Sequence, residues 1–132
     1  MLENNQPMDE AQARNISPVV LAFVGDAVYS LYVREKLVKK SDYKTDVLQK
    51  MSSQIVSAHG QSSLLEKLLP LFTEEEEDIF RRGRNAKKST RSKNASVGEY
   101  NRSTGFEAVL GYLYLTGKCA RIEFLLKDND EN

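Results

Sequence analysis

Two carboxylates in this chain sit where an ionised group is expensive. Asp26 is the only charged residue between Pro18 and Val33, and Glu107 is the only one between Ser103 and Leu115. Both segments are apolar nearly all the way round a helix, so each is expected in the middle of the domain. An ionised carboxylate buried alone costs several kcal/mol and tends to protonate instead. A basic partner, a set of hydrogen bonds or a bound cation must offset that cost. Gly25 adjoins Asp26, and Gly111 lies one turn beyond Glu107. Glycine inside a helix costs about 1 kcal/mol relative to alanine, which close approach of a second helix explains. The two helices are therefore expected to cross at these glycines and bring Asp26 and Glu107 to one site. An oxygen-only site of this kind suits Mg2+, which keeps several waters and binds through one or two carboxylates plus phosphate oxygens. A salt bridge to an Arg or Lys elsewhere is the competing explanation for each acid, and the residues alone leave both open.

Charge is segregated along the chain although its formal net value is zero. Residues 74–78 read EEEED. The stretch RRGRNAKKSTRSK then carries seven bases (Arg81, Arg82, Arg84, Lys87, Lys88, Arg91 and Lys93) and no acid. Such a stretch can neutralise several phosphates, the usual electrostatic footprint of nucleic-acid binding. No aromatic residue lies between Arg81 and Val97, so stacking on single strands is not indicated. Contacts to a duplex backbone fit better, because A-form RNA is read chiefly through phosphates, shape and 2′-hydroxyls. A solvated basic loop paired with the neighbouring acids is the plainer alternative. Cys119 is the only cysteine, which excludes an internal disulfide and a cysteine-based zinc site. The one histidine, His59, lies in the polar stretch SAHGQSS and reads as an ordinary surface or loop residue.

The elements that must position these groups read as all-α. Residues 1–15 form a polar leader, expected to be flexible, and 16–128 form one domain. Ser17 and Pro18 open a first long helix that ends in cationic residues at Lys36, Lys39 and Lys40. A second helical stretch starts at Thr45, is expected to bend near His59 and Gly60, and stops at Pro70. Thr73 and Glu76 have capping-box spacing for a short helix through the acid run. Residues 83–94 read as loop. Ser96 caps a last long helix that Gly117 ends, and a terminal helix spans about Ala120 to Lys127. No apolar run reaches the ~20 residues of a membrane span, and the N-terminus lacks an apolar signal core, so a cytoplasmic location is expected.

Four segments, in this order, resemble the ribonuclease III family: LAFVGDAVY (Leu21 to Tyr29), SSQIVSAHGQ (Ser52 to Gln61), FTEEEEDIFRRGRNAK (Phe72 to Lys87) and STGFEAVLGYLYL (Ser103 to Leu115). The likeness covers residues 16 to 127 and is strongest to the short bacterial branch made of the catalytic domain alone. It implies an all-α endonuclease-domain bundle that forms a homodimer, each subunit cutting one strand of double-stranded RNA with Mg2+. The family's catalytic Asp falls on Asp26 and its essential metal-binding Glu on Glu107. Two further acids of full-length members fall on Ala22 and Thr104, departures that the short branch shares. The metal shell is then two carboxylates, completed by water, Thr104 or RNA oxygens. A separate double-stranded-RNA-binding domain is not expected, which places RNA affinity on Arg81 to Lys93. The resemblance further implies precursor large-subunit (23S) ribosomal RNA as substrate and a ribosomal protein bound to that RNA as a partner. Two other readings stand beside it. A non-catalytic RNA-binding module of the same fold would account for Ala22 and Thr104. A helical protein-interaction adaptor would hold Asp26 and Glu107 as salt-bridged core residues.

Overall fold

Ser17 and Pro18 do open the longest helix, in a computed structural model that describes residues 2–88 and 95–128. The elements in chain order are α1 (Glu10–Arg14), α2 (Pro18–Lys40), α3 (Thr45–Val56), α4 (Ala58–Leu68), a 3-10 turn (Leu69–Leu71), α5 (Glu74–Asn85), α6 (Val97–Leu115) and α7 (Cys119–Asp128). No strand occurs among the described residues, so the all-α expectation holds. No helix among them is long and apolar enough to cross a membrane.

Local chemistry accounts for most boundaries. Thr73 and Glu76 form the expected capping box on α5, and Ser96 and Glu99 form another on α6. The break between α3 and α4 comes at Ser57, earlier than His59 and Gly60. Ser57 has extended backbone and its hydroxyl accepts the Gly60 N–H at 3.0 Å, so a fresh helix starts there.

α6 is the central element. Every residue from Ser103 to Leu113 except Glu107 is buried, and Tyr112 and Phe106 are its largest fully buried side chains. α2 lies along it, with Leu21, Ala22, Gly25, Val28, Tyr29 and Val33 turned inward. The expectation that α2 lies wholly in the middle is corrected here. Val19, Val20, Phe23 and Leu31 are exposed, Phe23 at 80% of its surface, and Asp26 and Ala27 are exposed among them. One face of α2 is covered by α6, and the other forms an apolar stripe open to solvent in a single chain.

The leader makes contacts that its sequence does not announce. Asn4 Nδ2 donates to the Tyr114 carbonyl at 2.9 Å and the Leu115 carbonyl at 3.2 Å, and Met8 N donates to the Leu115 carbonyl at 2.7 Å. Ala13 of α1 is fully buried. Around it, Arg14 pairs with Glu75 at 2.8 Å, Lys118 with Glu10 at 2.6 Å, and the Tyr112 hydroxyl donates to Glu75 at 2.9 Å. Residues 2–14 thus close over the C-terminal end of α6.

Candidate metal centre and nucleic-acid face

Backbone contact between α2 and α6 sets the geometry of the site. A Cβ on Gly25 would lie 1.7 Å from the Glu107 carbonyl oxygen, and one on Gly111 would lie 1.9 Å from the Leu21 carbonyl oxygen. No side chain fits between the helices at this level. Asp26, next to Gly25, and Glu107, one turn before Gly111, are therefore presented on the same side of the crossing. Their carboxyls come close enough to share a hydrogen bond. Asp26 is exposed and Glu107 partly buried. Tyr29 and Phe106 meet edge to face beside them, with centroids 5.1 Å apart, and give the site an apolar flank.

A third residue belongs to this group and was missed in the sequence. Gln61 on α4 is 1% exposed, and its Nε2 donates to Glu107 Oε2 at 3.1 Å and to the Val56 carbonyl at 2.9 Å. Its Oε1 is buried without a hydrogen-bond partner. The stretch around it reads as a bend, which hides its role. The available signal is spacing: Gln61 shares one helical stripe with Leu64, Leu65 and Leu68, a polar residue in an apolar row.

Burial, then the charge of Asp26 and the hydrogen bond shared with it, push the Glu107 carboxyl up to about 8. The Gln61 amide acts in the opposite direction, because a donor favours the ionised form. Among the described residues neither Asp26 nor Glu107 pairs with a Lys or Arg. Two facing carboxylates without a base are satisfied by a shared proton or by a cation, and oxygen donors select a hard cation. The residues present therefore fit Mg2+. No group of three His, Cys, Asp or Glu side chains that could hold a metal occurs among the described residues, so the protein part of the shell is thin. Ala22 is buried one turn before Asp26. The Thr104 hydroxyl donates to the Tyr100 carbonyl of its own helix at 3.1 Å and is 6% exposed.

The acid run and the basic run are largely separate in space. Glu75 bonds to Arg14 and Tyr112, and Glu76 is buried against Arg121 with contacts of 2.8 and 2.9 Å. Among the described residues only Arg81 pairs within the run, with Asp78 at 2.7 Å. Arg84 and Lys87 are exposed and Arg82 is half-buried. Lys88 is engaged otherwise: its ammonium donates to the Gly83 carbonyl at 2.7 Å and the Arg84 carbonyl at 2.9 Å, capping α5. Burial lowers its pKa. Arg91 and Lys93 lie outside the described residues. Gly83 packs on Gly105 and Ala108, so this end of α5 sits level with Glu107 along α6. His59 is an exposed surface residue paired with Glu99 at 2.7 Å.

Comparison with known proteins shows the family. The sequence profile described as Ribonuclease III domain matches residues 19–118. A Mini-ribonuclease 3 from Thermoanaerobacter is 44% identical over 126 residues, covering 96% of this chain and 89% of its own. The Mini-ribonuclease 3 of Streptococcus pneumoniae is 45% identical over 113 residues, covering 84% of this chain and 88% of its own. An X-ray structure of a Fusobacterium nucleatum protein superposes with a TM-score of 0.83 at 29% identity, covering 95% of this chain and all of that one. The helical fold and these likenesses agree: the chain belongs to the ribonuclease III family, among the endoribonucleases called Mini-ribonuclease 3.

Proposed function

We propose that this protein is a cytoplasmic, Mg2+-dependent endoribonuclease that cuts double-stranded or structured RNA as a homodimer and leaves 5′-phosphates and 3′-hydroxyls. The observation that carries the reading is the facing pair Asp26 and Glu107, held by the glycine crossing and matched by no base among the described residues. Both residues act as cation ligands. Bound there, Mg2+ supplies charge neutralisation at the phosphate and an activated water at neutral pH. Asp26 lies on the solvent side and faces incoming RNA, while Glu107 is set deeper and is oriented by Gln61. The only histidine is exposed and paired with Glu99 rather than with either acid, so the mechanism assigns no step to an imidazole. Precursor large-subunit (23S) ribosomal RNA, with a ribosomal protein bound to it, is the substrate that the family resemblance supplies. Cleavage of a long RNA duplex that needs Mg2+ and stops with chelator supports the reading. Duplex that is bound but never cut moves it to a non-catalytic RNA-binding module. The adaptor reading needs a basic partner for each acid, and neither has one among the described residues.

Dimerisation is supported by the stripe on α2. A large aromatic exposed to 80% beside Val19, Val20 and Leu31 is the kind of contiguous apolar surface that a partner covers. Phe23→Glu is expected to convert the dimer to monomer in light scattering and to lower cleavage of both strands together. A variant that still sediments as a dimer would place the interface elsewhere.

RNA affinity is assigned to Arg81, Arg82, Arg84, Lys87, Lys88, Arg91 and Lys93. Each phosphate contact contributes about 0.9 to the slope of log K against log salt. Replacing Arg84, Lys87, Arg91 and Lys93 with Ala is expected to lower that slope by about 3. Lys88→Ala should act differently, removing a helix cap and about 0.5–1 kcal/mol of stability, with less effect on the slope. An unchanged slope in the fourfold variant would remove this face from the binding site.

A further inference from the structure

The Asp26–Glu107 pair is supported from a third helix, and the support has an odd feature. Gln61 is as buried as Leu65 and Leu68, yet only half of its amide is satisfied among the described residues. Nε2 spans from the Val56 carbonyl, at the end of α3, to Glu107 Oε2. That ties the α3–α4 corner directly to the carboxylate. Both partners are acceptors, so the amide turns its NH2 toward them, and Oε1 is buried with no donor among the described residues. A buried acceptor with no donor lowers stability, whereas an apolar residue of the same shape does not. Folding alone would favour methionine or leucine in this row, beside Leu64, Leu65 and Leu68. The glutamine is explained by what it does to Glu107.

We propose that Gln61 is a positioning residue for the cation site: its amide fixes Glu107 Oε2 so that the carboxylate faces Asp26 in the orientation a divalent ion requires. The inference rests on reading Asp26 and Glu107 as cation ligands and goes beyond it by assigning a residue outside the acid pair. Gln61 cannot ligate through Nε2, which has no lone pair to offer. Its effect passes through Glu107. A carboxylate held by a donor on one oxygen loses rotational freedom and keeps its other oxygen for the ion. Glu107 has no other hydrogen-bond donor from a side chain of α3, α4 or α5 among the described residues, so the task falls to this amide alone.

The test is Mn2+ binding to the metal-stripped full chain, read from the electron paramagnetic resonance signal of the free ion. Wild type is expected to bind Mn2+, and Asp26→Asn to lose that binding. Gln61→Met keeps the shape of the side chain without its hydrogen bonds. It is expected to bind Mn2+ about 10- to 100-fold more weakly. Its metal-free melting temperature should stay within about 4 °C of wild type. RNA affinity without metal should not change, and the Mg2+ concentration that half-activates cleavage should rise by the same factor as the Mn2+ dissociation constant. Gln61→Asn, polar but too short to reach Glu107 from the same backbone, should show the same loss and serves if Gln61→Met does not fold. Mn2+ affinity equal to wild type in the folded variants overturns the inference and leaves the cation site standing. A lowered melting temperature with unchanged Mn2+ affinity overturns it too, since a purely structural glutamine behaves that way. Absence of any Mn2+ binding that Asp26→Asn removes overturns the site itself, and the role of Gln61 with it.

Discussion

Asp26→Asn is expected to leave a long RNA duplex uncut, a loss on the order of 1000-fold or more, while the metal-free variant melts no lower than wild type. The first half follows from losing one of only two carboxylates at the site. The second half follows from the cost of holding two acids together without an ion. In the unfolded chain Glu107 titrates at the ordinary glutamate value of 4.5, and in the folded chain at about 8. The folded form therefore prefers the protonated acid. Metal-free stability is full below the unfolded value and falls as pH rises through the folded one, by on the order of 5 kcal/mol over the whole span. Burial causes most of this and the Asp26 carboxylate adds to it, so removing that charge flattens the pH dependence and raises stability at its alkaline end. With Mg2+ the order reverses, because wild type gains a ligand and the variant does not. Thermal melts from about pH 5 to about pH 8.5, with chelator and then with Mg2+, separate the two regimes. Retained cleavage in the variant, or a Mg2+-induced rise in melting temperature equal to wild type, would remove Asp26 from the metal site.

Gly111→Ala is expected to rank with Gly25→Ala among the most destabilising single-methyl changes in the protein, by more than about 4 kcal/mol. Its new carbon would stand 1.9 Å from the Leu21 carbonyl oxygen and 3.1 Å from the Gly25 nitrogen. Both are backbone atoms of a long helix, so no side chain can swing aside. α2 must back away along its length, and the packing of Leu21, Val28 and Tyr29 against α6 loosens with it. That loss is a large share of the ~5–15 kcal/mol that keeps a domain folded. Gly98→Ala makes the control. Nothing lies within 4 Å of the new carbon there, and a helical glycine replaced by alanine gains up to about 1 kcal/mol. Chemical denaturation of the two variants side by side gives opposite signs if the crossing is as tight as described. Equal stability of Gly111→Ala and wild type would show that the helices can part at little cost.

The site was legible where the sequence breaks its own pattern. A lone acid beside a glycine in an apolar helix is such a break, and it occurs once in α2 and once in α6. The same pattern misled about Asp26, because an apolar row in sequence looks alike whether the chain's own core covers it or, as on the outer face of α2, it lies exposed in the single chain. Gln61 escaped because His59 and Gly60 beside it resemble a bend, and the real break at Ser57 depends on a hydroxyl bond that spacing does not reveal. Among the bases, charge was visible and engagement was not. Lys88 reads like Lys87 in sequence, and only the end of α5 decides that its ammonium is taken by two carbonyls. The leader was the least readable part, since Asn4 and Met8 attach through backbone carbonyls that every residue possesses.

That attachment has a consequence for the order in which the protein is made. Asn4 bonds to carbonyls 110 and 111 positions further along the chain. Synthesis delivers residues 2–14 well before their docking place, the end of α6. Throughout elongation α1 has no surface to cover, and the inner face of α2 waits for the same late helix. Such widely separated partners close slowly, because the entropy of a long loop must be overcome before any contact repays it. The inner faces of α1 and α2 thus stay uncovered in the nascent chain until α6 has emerged, and only then can the leader dock.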